Sequence, residues 1–485
     1  MTSGPRSCAR GVRFVPIRVR SSHAPHRSSA RCRATLGGPN GQPPASTGRT
    51  MLTSAPARNV RHPRGVWVHG VAMVLVAAGA CREADEPATE GFRIQDSLGI
   101  TVVHNLYSAL DTTAVVLDLV TRIGVAFGPA QYQFHRIRDV VADAKGFIYV
   151  ADAGSATIRV FESTGEYVRT IGGRGAGPGE FESVGSLFVW KDTVHVNDLQ
   201  SLRSTIFDTT GQYLASWPNR VAPNCYVFPM NGGPEGWLAR VSGLASRAPM
   251  ERGSETYDSV RIARIKASGL AEASESECPG GRSIAEYTTM RRFVVSAGNT
   301  NGLRSPLFEP NASHAVDDSG RVFVADGFPY RVRVYREGRL ERIVSRRHQV
   351  QRITESDVEA LLNQVAASGD ALLAESYRRR AELPRNGFVP VIGAIVSSRS
   401  GELWLERTDV QWRPEIAEGV ARDRDSRFWD VLDESGVYKF TVRMPGNVRV
   451  VWSEVGRVIA VERDAENVER IVIFVLRRTE NPRNY

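Results

Sequence analysis

Residues 138–172, RDVVADAKGFIYVADAGSATIRVFESTGEYVRTIG, fall into four short β-rich runs: Asp139–Ala142, Phe147–Ala151, Thr157–Phe161 and Glu166–Ile171. The breaks between them are Ala144-Lys145-Gly146, Ala153-Gly154-Ser155 and Ser163-Thr164-Gly165. Apolar residues alternate inside the runs, as at Ile148/Val150 and Ile158/Val160, which is the two-residue period of a β-strand. Short alternating strands joined by Gly-bearing turns describe a four-stranded antiparallel meander.

The unit recurs, and recurrence constrains the fold more than any other feature of the chain. Setting Gly320 on Gly146 aligns Asp317 with Asp143, Asp326 with Asp152, and RVFVA with FIYVA across residues 314–344. Residues 184–217 give a second copy, with Asp192 in place of the turn Gly. A weaker copy surrounds Gly236 and continues through Val260–Ile265. Residues 395–442 give another, interrupted by a long insert, and residues 448–475 a last one that lacks its fourth strand. Upstream, Thr113–Gly124 (TAVVLDLVTRIG) is a strand without a unit of its own. Ring closure accounts for both, the N-terminal strand completing the C-terminal unit and protecting edges that an open array would expose. The expected fold is therefore all-β: a six-bladed β-propeller of four-stranded antiparallel blades over residues 99–480. An open solenoid or a sandwich explains neither the orphan strand nor the four-run units.

The unit DVVADAKGFIYVADAGSATIRVFESTGEYVRTIGGRGAGPGEF resembles the NHL-type six-bladed β-propeller repeat, and similar bacterial lipoproteins carry an IGGRGAGPGEF-like linker. The match is strong over residues 113–219 and 314–344 and weak over 220–313. The resemblance implies the fold. It leaves function open, because such propellers serve as binding modules and as enzymes alike.

The formal charge of +9 suggests a nucleic-acid or anionic-membrane binder, but the first 80 residues hold 12 Arg and no Lys, Asp or Glu. Residues 81–485 carry 50 basic and 53 acidic side chains, so the body has no electrostatic footprint for nucleic acid. Residues 1–50 read as a disordered extension or as sequence upstream of the true start. Met51 opens a better export signal over 51–80, with Arg58, Arg61 and Arg64 ahead of an 11-residue apolar stretch, Gly70 to Ala80. That stretch is too short for a permanent span. Ala78-Gly79-Ala80 before Cys81 resembles the bacterial lipobox, which implies a lipid-modified Cys81. Arg82 stands where the inner-membrane retention signal has Asp, so the implied destination is the outer membrane, facing the periplasm or the exterior. Residues 81–98 are expected as a tether. In the body Cys225 and Cys278 remain, and they either pair in the oxidising compartment or stand as independent thiols.

Thr354 followed by Glu355 and Asp357 marks a helix start. Apolar residues then recur at helical spacing, predicting one or two inserted helices over 355–381. They either pack on a propeller face or cover the central mouth. The loop Gly172–Gly179 lacks the Lys-Ser/Thr and the following helix of a phosphate-binding loop, so it reads as an inter-blade linker with Phe181 plugged between blades.

The position six residues after each turn residue is Asp152, Asp198, Ser242, Asp326, Arg407 and Glu462. These six are the candidate polar rim. They either meet a ligand or cation at one face, or cap the turn after each second strand by accepting backbone hydrogen bonds. Five histidines lie in the body (His104, His135, His195, His314 and His348). None has metal-ligand spacing, and His135 and His314 read as preceding inner strands. The Glu/Asp run 415–430 reads as solvated loop charge. No catalytic residue, metal site or cofactor is expected, with Ca²⁺ the one candidate ion. The leading expectation is a monomeric, non-catalytic scaffold binding protein, peptide or glycan at the top face or near residues 220–313 and 350–388. The alternative is a metal-assisted hydrolase or lyase resembling lactonase-type propellers.

Overall fold

The computed structural model describes residues 91–479 except 223–224, 234–235, 244–252, 267–280, 298–299 and 422–423. Cys81, Cys278 and residues 51–80, where an export signal was expected, lie outside the described residues.

Six sheets follow one another. Blade 1 is Ile137–Ala142, Ile148–Asp152, Thr157–Phe161 and Tyr167–Ile171; blade 2 is Val184–Trp190, Thr193–Asp198, Arg203–Asp208 and Tyr213–Pro218. Blade 3 is Cys225–Asn231, Trp237–Gly243, Glu255–Ile265 and Arg282–Ala297; blade 4 is Ser313–Val316, Val322–Ala325, Arg331–Arg336 and Arg339–Arg346. Blade 5 is Ile392–Ser397, Leu403–Arg407, Ser426–Leu432 and Tyr438–Pro445. Blade 6 is Val448–Glu454, Arg457–Arg463 and Glu469–Arg478, completed by Val115–Ile123. That closing strand runs antiparallel to Glu469–Arg478, from Ile123 opposite Ile471 to Val115 opposite Arg478. Ile123 is buried among Ile459, Ile471 and Ile473 of blade 6 and Val140 and Ile148 of blade 1.

Two sheets exceed four strands. Blade 3 gains Arg220–Ala222 on its inner edge and Thr300–Arg304 on its outer edge. Blade 4 gains a hairpin, Phe92–Ser97 and Ile100–Asn105, whose second strand runs parallel to Arg339–Arg346. Residues 92–97 are thus strand, and the parallel pair is an addition outside the four antiparallel strands of the blade. The hairpin is locked by Asn105, which donates to the Ser345 and Gly436 carbonyls (3.1 and 3.0 Å) and accepts from Tyr438 N (2.7 Å). It covers a blade edge that would otherwise be open to pairing.

The cores lie between blades, and alternation decides which neighbour each residue meets. Val194, Val322, Leu403 and Val458, two residues past the turn, pack on the preceding blade, as Ile148 does on blade 6. Leu238, in the same place in blade 3, packs on blade 4 instead. The third blade is out of phase with the sequence alignment by one residue, and such a slip turns every side chain to the opposite face.

The Gly-rich linker is structural. Gly172 and Gly179 have φ of +73° and +79°, and a Cβ on Gly172 would lie 2.3 Å from the Phe181 ring. Phe181 is fully buried between blades 1 and 2.

Helices α1 (Glu355–Ala367) and α2 (Ala371–Ala381) form the expected insertion. Thr354 and Asp357 make a reciprocal capping box, and Asp370 caps α2 through Leu373 N at 2.9 Å. Val358, Leu361 and Val365 of α1 and Ala374 and Tyr377 of α2 share a small core with Leu307 and Phe308. Trp412 and Val420, from the insert inside blade 5, pack against it.

Candidate functional site

Strand direction sorts the connections. In each blade the turn after the second strand and the link after the fourth emerge on one face, and the other two turns on the opposite face. The helical insertion, residues 408–425, and residues 305–312 before blade 4 all belong to the first face. Glu418 ties them together: its carboxylate accepts from Phe308 N and Arg380 Nη2, and its carbonyl accepts from Tyr377 Oη (3.0 Å). Glu418 is therefore not a solvated loop charge, and neither is Asp430, which is fully buried.

The six rim residues stand at the ends of second strands on this same face, each committed to a different set of contacts. Asp152 accepts from His135 N (3.1 Å), Gly154 N (3.2 Å) and Ser155 Oγ (2.8 Å), and pairs with Arg159. Asp198 accepts from four backbone amides, those of Glu182, Ser183, Gln200 and Ser201. Burial works to raise its pKa, but the amides of Ser201, Glu182 and Gln200 outweigh it and hold the carboxyl below its ordinary value. Both aspartates tie a strand end to the linker entering the blade. Asp326 pairs with Arg331 and Arg333, and Glu462 with Arg122 (3.0 Å). Ser242 lies opposite Tyr226 in the sheet and, with the blade 3 offset, points to the other side of its strand.

Arg407 belongs to a buried network between blades 4 and 5. It forks onto Asp409 (2.8 and 2.7 Å) and reaches Asp430 (3.1 Å). Asp430 also accepts from Arg346, Tyr330 Oη (3.0 Å) and Thr441 Oγ1 (2.7 Å). Two guanidinium groups and two carboxylates balance there, and the Arg346 guanidinium lies over the Tyr438 ring at 3.8 Å. Among the described residues, no three His, Cys, Asp or Glu side chains come together as a metal site. Cys225 is disulfide-bonded, and Cys278, the candidate partner in the sequence, is outside the described residues.

Two adjoining cavities follow the inner strands. The first, about 160 Å³, is lined by residues from all six blades, among them Ala142, Asn231, Asp318, Arg399 and Trp452. It sits at the mouth opposite the inserts, and Arg399 crosses it. Arg399 donates to the Ala142 carbonyl, pairs with Asp318 (3.4 Å) and lies over Trp452 (6.0 Å). The second cavity, about 340 Å³, is lined by Asp139, Ser186, Leu187, Phe188, Leu199, Phe228, Pro229, Met230, Arg240 and His314. Leu199 directly follows the Asp198 turn, so this cavity reaches the insert-bearing face.

Its charged groups are unequal. Asp139 accepts from Val140 N (2.9 Å) and Leu187 N (3.0 Å), stitching blade 1 to blade 2. Burial pushes its carboxyl up to about 6 against those two bonds and the field of Arg449. His314 lies within the first strand of blade 4 rather than before it, and shares a hydrogen bond between Nδ1 and Tyr287 Oη. Burial, with Arg240 nearby, lowers its pKa to about 4. Asp139 and Arg240 were not among the sequence candidates. One signal was available for Arg240. Its aligned counterparts are Val150, Val196, Val324, Leu405 and Ala460, all buried and apolar.

A family model described as a 6-bladed β-propeller matches residues 131–223, which span blades 1 and 2. The chain is a six-bladed β-propeller by that match and by its sheet order. Among solved structures it is similar to a DUF4221-family member from Bacteroides vulgatus. That pair shares 10% identity over 76% of this chain and 99% of that one, with a TM-score of 0.42. It is also similar to virginiamycin B lyase from Staphylococcus aureus in an inactive variant with quinupristin. Here identity is 9% over 75% of this chain and 100% of that one, with a TM-score of 0.37. A luciferin-regenerating enzyme matches at 11% identity over 74% and 95%, with a TM-score of 0.34. No curated protein matches the chain.

Proposed function

We propose that this chain is an exported, lipid-anchored propeller that acts as a non-catalytic binding scaffold, engaging a protein, peptide or glycan on its insert-bearing face. One observation carries the reading. Three separate insertions build a second small core on that face, with Phe308, Leu361 and Tyr377 in it and Trp412 packed against it. Long insertions that pack into a defined surface are where scaffolds place recognition. Leu372 on α2 is 86% exposed there, an apolar side chain offered to solvent. The anchor is Cys81, and the export signal before it supports the periplasmic or cell-surface setting.

The test is a crosslinking pull-down with the chain beginning after Cys81, comparing the parent with Leu372→Asp, alongside metal analysis of the purified protein. A partner captured by the parent and lost by the variant supports the scaffold. Equal capture by both, or stoichiometric Ca²⁺ or Zn²⁺ in the protein, counts against it, the metal favouring a hydrolase or lyase.

A further inference from the structure

We propose that the 340 Å³ cavity bounded by blades 1 to 4 is a binding site for a small organic anion: a carboxylate carried on an aromatic or branched apolar body. The argument begins with Arg240. Blade 3 is one residue out of phase, so the position that holds a buried Val, Leu or Ala in the other five blades turns an Arg side chain into the cavity. Arg240 makes no hydrogen bond and no ion pair among the described residues. The one carboxylate among the lining residues, Asp139, accepts from backbone amides. Both of its oxygens receive backbone amides, and the cation whose field reaches it is Arg449. Among the described residues Arg240, an exposed side chain, thus lines the cavity with no carboxylate bonded to it, and Asp139 is the one acidic side chain in that lining.

Two further donors face the same space. Ser186 Oγ accepts from Asn197 Nδ2 at 2.9 Å, which leaves the hydroxyl proton free to donate. His314 has Nδ1 occupied by Tyr287 Oη, which leaves Nε2 for a ligand, as a donor in the tautomer where the tyrosine hydroxyl donates to Nδ1. The remaining lining is apolar, supplied by Leu187, Phe188, Phe228 and Met230. A guanidinium with nearby neutral donors, set against aromatic and aliphatic walls, matches a carboxylate joined to an apolar group. The volume falls at the small end of ligand pockets, roughly 300–1,000 Å³, which selects a single ring or a short branched chain. The site is distinct from the macromolecular surface proposed above, and failure to find a partner there leaves it standing.

Titration calorimetry on the full-length chain tests it with three probes of one shape: 3-phenylpropionate, its uncharged amide, and 3-phenylpropylamine. The acid is expected to bind, with the amide and amine at least tenfold weaker. Arg240→Gln should weaken the acid at least tenfold while leaving the amide and the unfolding temperature unchanged, since it removes no hydrogen bond or ion pair among the described residues. Equal affinity for acid and amide, undiminished acid binding by R240Q, or no binding of the acid would each overturn the proposal. The acid–amide comparison uses the unmodified chain and stands even if the variant misfolds.

Discussion

Burial holds His195 neutral: its ring stacks on Phe188 at 4.5 Å, its Nε2 meets Thr193 Oγ1 at 2.9 Å, and its pKa falls to about 4. Unfolded, the same ring titrates near 6.5. Its contribution to stability is therefore complete at neutral pH and is lost as pH falls from 6.5 to 4, by about 3 kcal/mol for this 4%-exposed side chain. His314 acts in the same direction. Asp139 acts oppositely, because its raised carboxyl contributes most below its unfolded pKa and loses that contribution as pH rises through about 6. Urea unfolding at pH 7 and 4.5 should show a smaller acid loss for His195→Leu than for the parent, and an unchanged difference would refute the assignment. Asp430→Ala takes the paired carboxylate from Arg346 in a buried site, leaves Arg407 on Asp409 alone, and should cost about 3–5 kcal/mol in the same assay. None of this was visible in a single repeat. The sequence marked Asp152 and Asp198 as turn caps because every blade needs such a cap. It could not mark Asp139 or Asp430, whose partners include residues of a neighbouring blade, far away along the chain. Arg240 was readable as a charge in an apolar column of the repeat, but its meaning depended on a one-residue phase shift that only the packing reveals.

The closing strand is the element on which the ring depends. Val115–Ile123 makes the outer ladder of blade 6, and Ile123 belongs to the core shared with blade 1. Deleting residues 113–124 should lower the melting temperature of the whole ring in one cooperative step, and unchanged thermal unfolding would contradict closure. The helical insertion makes a smaller prediction. Thr354→Ala removes one half of the capping box of α1 and should cost about 1 kcal/mol, read by chemical unfolding. Both elements were legible, one from an unmatched strand and the other from a Thr-x-x-Asp signal ahead of helical spacing. The hairpin Phe92–Asn105 was not. Its outer strand is largely exposed, so it lacks the alternation that betrays a half-buried strand, and its inner strand pairs with a segment more than 230 residues away.

At the scale of the molecule, the excess of basic charge lies in the first 80 residues and the body is near neutral, so association depends on shape and a few local groups rather than on a long-range field. The mouth opposite the inserts is crossed by Arg399, which leaves the insert-bearing face as the open approach to the second cavity. Intact mass of the native protein should give a chain beginning at a lipid-modified Cys81; an unmodified Cys81 or a different N-terminus would remove the anchor. The central claim is that recognition occurs on the insert-bearing face, and site-specific photo-crosslinking tests it most directly. A photoreactive residue is placed at Leu372 on that face, and in a second protein at Val455, 72% exposed in a turn on the opposite face. The account predicts adducts at residue 372 and none at 455; adducts at 455 alone, or at both positions equally, would contradict it.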